Sequence, residues 1–280
     1  MQAITLSVNP HYQLPGWLFP VEQPRIQLLL MAALGVGARF YWPLAQALAT
    51  HDIQVLLLEQ RGHGESGLLA SRRSNWGFAA ALQEDIPAAL DFLQLRHEAP
   101  VYCMGHSLGG HYAAMAAGLY PNRIAGVVIA ACGSPWYPAF EPPVSNQIRW
   151  LCRAIPALTA VLGFYPGNQL RFGGREAAQL MRDWALLAKT NRYAGRDLPA
   201  DIDQRIGRFG GPLLSVRMDN DSYAPERAMA AVSDNFTASK VTKVLLSEQD
   251  IGDRADHFRW ARKPAAVADA VAVWLQQLGR

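Results

Sequence analysis

The chain has 280 residues, half of them apolar and 18% charged, with a formal net charge of +3. That length holds one large domain with a sizeable core, or a core domain plus an insertion, and the composition is that of ordinary globular proteins. So small a positive charge, with no Lys/Arg run interleaved with aromatics, gives no basis for a nucleic-acid-binding stripe.

Apolar β-branched runs alternate with helical patterns along most of the chain, the pattern of a mostly parallel sheet covered on both faces. Residues 3–8 and 12–19 read as opening strands joined by a turn at Asn9-Pro10. The apolar run Arg25 to Ala33 predicts a central buried strand, and Phe40 to Thr50 a helix. Ile53 to Leu58 is the next strand, followed by the polar loop Arg61-Gly62-His63-Gly64-Glu65-Ser66-Gly67. Trp76 to Leu95 predicts one long helix kinked or broken at Pro87. A short strand Val101 to Met104, an Ala/Gly-rich helix Leu108 to Tyr120 and a strand Ile124 to Ala131 follow.

The alternation then lapses. From Gly133 to Phe209 there are aromatics, prolines and helix-like pieces but no convincing strand. It resumes with a strand Pro212 to Val216, a helix Pro225 to Asn235, a strand Val241 to Leu246 and a final helix Pro264 to Leu278. The expected architecture is an α/β core of residues 1–132 and 210–280 interrupted by a helical cap of residues 133–209.

Three cysteines, Cys103, Cys132 and Cys152, are too few and too odd in number for a disulfide framework and read as small buried hydrophobes. The N-terminus has no basic start followed by an apolar stretch, and no apolar run is long enough to cross a bilayer, so a cytoplasmic protein without a membrane span is expected. No His-Glu-x-x-His, Cys-x-x-Cys or phosphate-loop pattern is present, and the expected cofactor complement is none. Nothing sets the oligomeric state; a homodimer is compatible with the sequence.

The strongest chemical signal is Gly105-His106-Ser107-Leu108-Gly109-Gly110, with a strand entering it and a helix leaving it. This is Gly-x-Ser-x-Gly on a tight strand-to-helix turn. The glycines remove Cβ atoms that would collide across the turn, and the turn lifts the hydroxyl above the sheet edge. The following helix points its N-terminal N–H groups at the same spot.

With this motif, the loop Glu59 to Ser66, the stretch Asp219-Asn220-Asp221-Ser222-Tyr223-Ala224-Pro225 and Asp256-His257-Phe258, the chain resembles an α/β-hydrolase over nearly its whole length. More narrowly, it is similar to a group of bacterial predicted α/β-hydrolases. These carry an aromatic-rich insertion like Gly163-Phe164-Tyr165-Pro166-Gly167 and an acid loop ending in Tyr/Trp-Ala-Pro.

The resemblance implies a nucleophile, an acid and a histidine in that chain order. Ser107 is then the nucleophile. Of seven histidines, His257 alone lies after the last strand and before the final helix, and is the expected base. His111, one helical turn past Ser107, suits packing; His106 should point sideways from the turn; His63 suits a structural hydrogen bond; and His11, His51 and His97 read as surface residues. Relatives have an aspartate four residues before a proline, which favours Asp221 over Asp219 as the acid. Asp256 stands where many relatives have glycine and reads as solvated.

The resemblance also implies two backbone N–H donors for the developing oxyanion. One is Leu108. Matching the following helix places the other at Leu34, with Ala33 or Gly35 as alternatives one residue away. The cap aromatics Trp136, Tyr137, Phe140, Trp150, Phe164, Tyr165, Phe172 and Trp184 would roof an apolar acyl pocket. Arg149, Arg153, Arg171, Arg175 and Arg182 would attract an acidic substrate group. The expected partner is a small-molecule acyl substrate, cleaved at an ester or thioester bond through an acyl-enzyme. Acyltransferase, amidase or peptidase chemistry with the same triad, or a binding protein on this scaffold, remain open at this point.

Overall fold

The computed structural model describes residues 1–279. Its strands are β1 (Gln2–Asn9), β2 (Tyr12–Phe19), β3 (Ile26–Met31), β4 (Ile53–Leu58), β5 (Val101–His106), β6 (Gly126–Ala130), β7 (Phe164–Pro166), β8 (Arg175–Ala177), β9 (Leu213–Met218) and β10 (Val241–Leu246). Eight form one sheet in the order β1-β2-β4-β3-β5-β6-β9-β10. β1 and β2 run antiparallel to their neighbours; every other pairing is parallel. This is the mostly parallel, helix-covered sheet expected from the alternation, and it fits the α/β-hydrolase architecture that the resemblance implies.

Burial on both faces explains why the central strands read as unbroken apolar runs. Alternate residues feed two cores. Leu29, Leu56, Cys103 and Val127 face the helices Ile86–Arg96 and Leu108–Leu119. Leu28, Leu30, Val55, Leu57, Met104 and Val128 face the helices Trp42–Ala49 and Ala265–Leu278. Two buried glutamines interrupt the pattern and are paired: Gln54 Nε2 donates to Gln27 Oε1 at 2.9 Å, and Gln27 Nε2 donates to the His97 carbonyl. Hydrogen bonding of this kind offsets the desolvation of the buried amides.

One expectation is sharpened and one is corrected. The helical run starts at Phe78 and continues to Arg96, and the irregularity expected at Pro87 takes the form of a π-turn, Ala81–Asp85, between Phe78–Ala80 and Ile86–Arg96. Pro87 has no N–H to return to the turn before it, and the wide turn absorbs that missing bond. The segment between β6 and β9 is not strandless. β7 and β8 form a two-stranded antiparallel ribbon, too short at three residues each to show a period-2 pattern. Around it lie the helices Val144–Leu162, Gly167–Leu170, Ala178–Thr190 and Ile202–Gly207. Helix Val144–Leu162 packs Cys152 and Ile155 inward, in one cluster with Leu180, Met181 and Trp184 of helix Ala178–Thr190. Among the described residues, no helix is long and apolar enough to cross a membrane.

Candidate active site

Ser107 sits where β5 turns into helix Leu108–Leu119, with φ 52° and ψ −116°. A non-glycine residue there costs about 1–3 kcal/mol, which the surrounding packing must hold in place. The flanking glycines are obligatory. A Cβ on Gly105 would overlap the Gly109 backbone, and one on Gly109 would overlap the Met31 carbonyl. The turn therefore presents the hydroxyl at the C-terminal edge of the sheet, beside the free N–H groups of the helix start.

Two loops at the same sheet edge supply His257 and Asp221. His257 follows β10 and the short helix Glu248–Ile251; Asp221 follows β9. His257 Nδ1 lies 2.7 Å from Asp221 Oδ2. A carboxylate only accepts, so Nδ1 carries the proton and Nε2 is left as the basic lone pair. Asp221 Oδ1 accepts from the Tyr223 and Ala224 N–H groups at 2.8 and 3.0 Å, which fixes the carboxylate. Trp260 Nε1 donates to the His257 carbonyl at 3.0 Å and anchors the loop. Of the two aspartates weighed from sequence, Asp221 meets the imidazole, and Asp219 is exposed. Asp256 is not merely solvated: its Oδ1 accepts from the Phe258 and Arg259 N–H groups and caps the turn after the histidine. Ser107 and His257 line one cavity, and among the described residues no hydrogen bond joins their side chains in this conformation. Such contacts are often long without substrate.

The loop after β3 holds the three N–H groups weighed from sequence, those of Ala33, Leu34 and Gly35. The Ala33 N–H is already used: it donates to Tyr41 Oη at 3.0 Å. The Ala33 carbonyl accepts from Gln60 Nε2 at 3.2 Å and from the Val36 N–H at 3.1 Å. With that carbonyl pinned, the N–H of the same peptide, which belongs to Leu34, points the opposite way. Gln60 Nε2 also donates to the Ala32 carbonyl. Glu59, two per cent exposed, holds the start of the next turn through the Ala38 N–H at 2.9 Å. The Glu59–Ser66 motif thus braces the loop next to the serine.

Tyr41 makes a second bond, 2.7 Å from Oη to His106 Nδ1. Having accepted from Ala33, its O–H donates to His106. Burial, and then the neighbouring His257, hold the His106 pKa well below the ordinary histidine value, so the ring is a neutral acceptor. It packs against His257 with ring centroids 4.7 Å apart. His106 does point sideways from the turn, but into the imidazole. Tyr41 carries no motif of its own, and no sequence pattern marks it; Gln60 lies in the Glu59–Ser66 stretch, but nothing in the sequence marks its role.

A cavity of about 730 Å³ opens over Ser107. Its walls come from the core (Ala33, Leu34, Leu108, Tyr223, Phe258) and from the segment between β6 and β9. Of the eight aromatics expected to roof it, Phe140, Trp150, Tyr165, Phe172 and Trp184 line it, whereas Trp136, Tyr137 and Phe164 do not. Of the five arginines, only Arg171 lines it. Arg149 and Arg175 lie over the rings of Tyr137 and Phe164, Arg182 donates to Thr159 Oγ1, and Arg153 is exposed.

Two histidines tie the inserted segment to the core. His63 Nε2 lies 3.0 Å from Glu176 Oε2, and Glu176 Oε1 accepts from the Gly174 N–H at 2.7 Å. Burial lowers the His63 pKa, but the bond to Glu176 and the charges of Glu176 and Glu59 outweigh it, and the net shift is upward. This seats the Gly173-Gly174 backbone on Gly35, where any Cβ would overlap it. His111 makes the second tie. Its Nε2 donates to the Gly133 carbonyl at 3.2 Å, so its Nδ1 accepts from Tyr193 O–H at 2.7 Å. Burial pulls the His111 pKa down to about 4. The thiols of Cys103, Cys132 and Cys152 are buried and free. Among the described residues, no cluster of His, Cys, Asp and Glu has the makings of a metal site.

Residues 22–244 match the family model described as serine aminopeptidase, S33, a span that includes Ser107 and Asp221 and stops short of His257. RutD of Agrobacterium fabrum, provisionally described as a carbamate hydrolase, is 25% identical over 241 residues, 82% of this chain and 87% of its own. Among solved structures, Est1E from Butyrivibrio proteoclasticus with bound ferulic acid aligns at TM-score 0.67 and 18% identity, covering 99% of this chain and 100% of that one. A thioesterase domain from the curacin biosynthetic pathway aligns at 0.64 and 17%, covering 97% and 99%. A hydrolase from Pseudomonas aeruginosa aligns at 0.62 and 21%, covering 98% of each. At these identities the structures speak for the fold. The family match, spanning well over half the sequence, says more: this chain belongs to the serine aminopeptidase S33 family of α/β-hydrolases.

Proposed function

We propose that this hydrolase cleaves a carboxylic ester or thioester of an apolar acyl group, with Ser107 as nucleophile, His257 as base and Asp221 as the orienting acid. The observation that carries the reading is the pairing of a backbone-strained Ser107 with an Asp221-bound His257 around one cavity. Ser107 Oγ attacks the carbonyl while His257 Nε2 takes its proton. The Leu34 and Leu108 N–H groups stabilise the oxyanion, and the imidazolium returns the proton to the leaving oxygen or sulfur. Water, activated by the same imidazole, then releases the acid. Residues 133–209 act as a cap whose aromatic side chains exclude bulk water from the acyl group.

A second reading has its own support. The family description and the RutD relative both point to C–N bonds, in a peptide, amide or carbamate. The machinery is the same; the leaving nitrogen then depends on proton delivery from His257.

Treatment with a fluorophosphonate followed by mass spectrometry tests the nucleophile. One adduct is expected on wild type and none on Ser107→Ala; persistent labelling of the variant refutes the assignment. A matched series of an ester, a thioester, an anilide and a carbamate with a common acyl group separates the two readings.

A further inference from the structure

We infer that the exposed face of helix Val144–Leu162 docks on an anionic lipid surface, which puts the cavity mouth against that surface. Trp150 and Val161 are 63% and 71% exposed, and Ala157 and Ala160 are exposed beside them. Positions 150, 157 and 161 share one stripe of the helix, with the exposed Arg149 and Arg153 along one edge of it. The helix of 19 residues is about 28 Å long, and it buries Cys152, Ile155 and Thr159 on its opposite side. A helix with one packed face and an apolar outer face edged by arginines is suited to lie in the plane of an interface.

Charge selects the occupant. Residues 142–175 contain four arginines (Arg149, Arg153, Arg171 and Arg175) and no aspartate, glutamate or lysine. Arg72 and Arg73 add two exposed guanidinium groups, and Arg72 donates to the Val161 carbonyl at the end of the helix. Among the described residues, none of these six has a carboxylate within 4.0 Å. A second copy of the chain would bring the same positive field to the contact and be repelled. An anionic bilayer supplies both the negative potential for the arginines and the boundary region that Trp150 and Val161 need.

The cavity meets this face at Trp150, which belongs to both. Trp150, Leu170, Arg171, Tyr223 and Phe258 all line the cavity and are all exposed. A surface-bound molecule therefore receives an amphiphilic acyl substrate directly from the lipid. That last clause rests on the proposed hydrolase reading; the docking does not.

Sedimentation with sucrose-loaded vesicles tests the docking. Vesicles of phosphatidylcholine with phosphatidylglycerol are compared with phosphatidylcholine alone, using wild type and Ser107→Ala. Both proteins are expected to sediment with the anionic vesicles and to be released by added salt. Arg153→Glu should weaken partition more than about fivefold, from the contribution of one cation near a charged surface. Val161→Asp should also weaken it, and neither change should alter turnover of a short water-soluble ester. Equal binding to both vesicle types, or unchanged binding by the two variants, overturns the proposal. Absence from the anionic vesicles also overturns it and leaves the face to an acidic protein. Binding by both proteins with no turnover of any ester by the wild type would leave docking standing while the hydrolase reading falls.

Discussion

The Tyr41 hydroxyl stands 2.7 Å from His106 Nδ1 and, on its other side, 3.0 Å from the Ala33 N–H. One phenol therefore joins the loop after β3 to the ring that packs on His257. Tyr41→Phe keeps the ring and removes both bonds, leaving the buried Ala33 N–H without a partner. A stability loss of about 1–3 kcal/mol is expected. On the proposed chemistry, kcat should fall roughly tenfold to a hundredfold with KM little changed, because the loop that carries the Leu34 N–H loses its register. Steady-state kinetics beside a denaturant titration check this; wild-type kcat in a destabilised variant would show that the phenol only supports the fold.

Asp221 and Asp219 lie two residues apart, and only Asp221 touches His257. Asp221→Asn should lower kcat by about 10⁴, since an amide either donates to Nδ1 and forces the wrong tautomer or leaves the imidazolium unsupported. Asp219→Asn should stay within about twofold of wild type. Equal losses in the two variants would mean that the whole loop, not one carboxylate, sets the activity.

The two histidine ties respond oppositely to pH. His63 has a raised pKa in the folded protein, so its contribution is full below the unfolded value of about 6.5 and is lost as pH rises through the folded value. His111 is lowered to about 4, so it contributes above about 6.5 and the contribution is lost as pH falls toward 4. Thermal unfolding of His63→Gln against wild type should therefore show a larger deficit at pH 6 than at pH 9. For His111→Gln against wild type, the deficit should be larger at pH 7.5 than at pH 4.5. A deficit independent of pH would show that either side chain acts only by packing.

Gly105→Ala places a methyl group into the Gly109 backbone. Either the turn opens and Ser107 leaves its strained conformation, or the helix shifts outward. Overpacking of this kind costs about 1–3 kcal/mol or more. A lowered denaturation midpoint and loss of fluorophosphonate labelling are both expected. A soluble variant of wild-type stability that still labels would show that the glycine is dispensable.

Local pattern accounts for what was legible beforehand. The strands Ile53–Leu58 and Val241–Leu246 have the bounds read from sequence; the first is buried throughout, whereas the second, at the sheet edge, buries only Leu246 and was marked by its β-branched residues. The serine turn was legible because sterics restrict its neighbours to glycine. Tyr41 and Glu176 were not, because their roles come from distant partners: His106 is 65 residues from Tyr41, and Glu176 is 113 from His63. The ribbon of β7 and β8 escaped notice because three residues are fewer than two repeats of the strand period. The π-turn at Ala81–Asp85 looks like ordinary helix in sequence, since its residues are all helix formers except the terminal Asp85.

The backbone at Gly173-Gly174 rests on Gly35, beside the peptide that presents the Leu34 N–H. On the proposed chemistry, a guest wide enough to displace that backbone would also disturb the Leu34 donor. Oversized molecules should accordingly lodge without reacting and behave as competitive inhibitors. On that reading, selection among acyl groups would act through turnover more than through affinity.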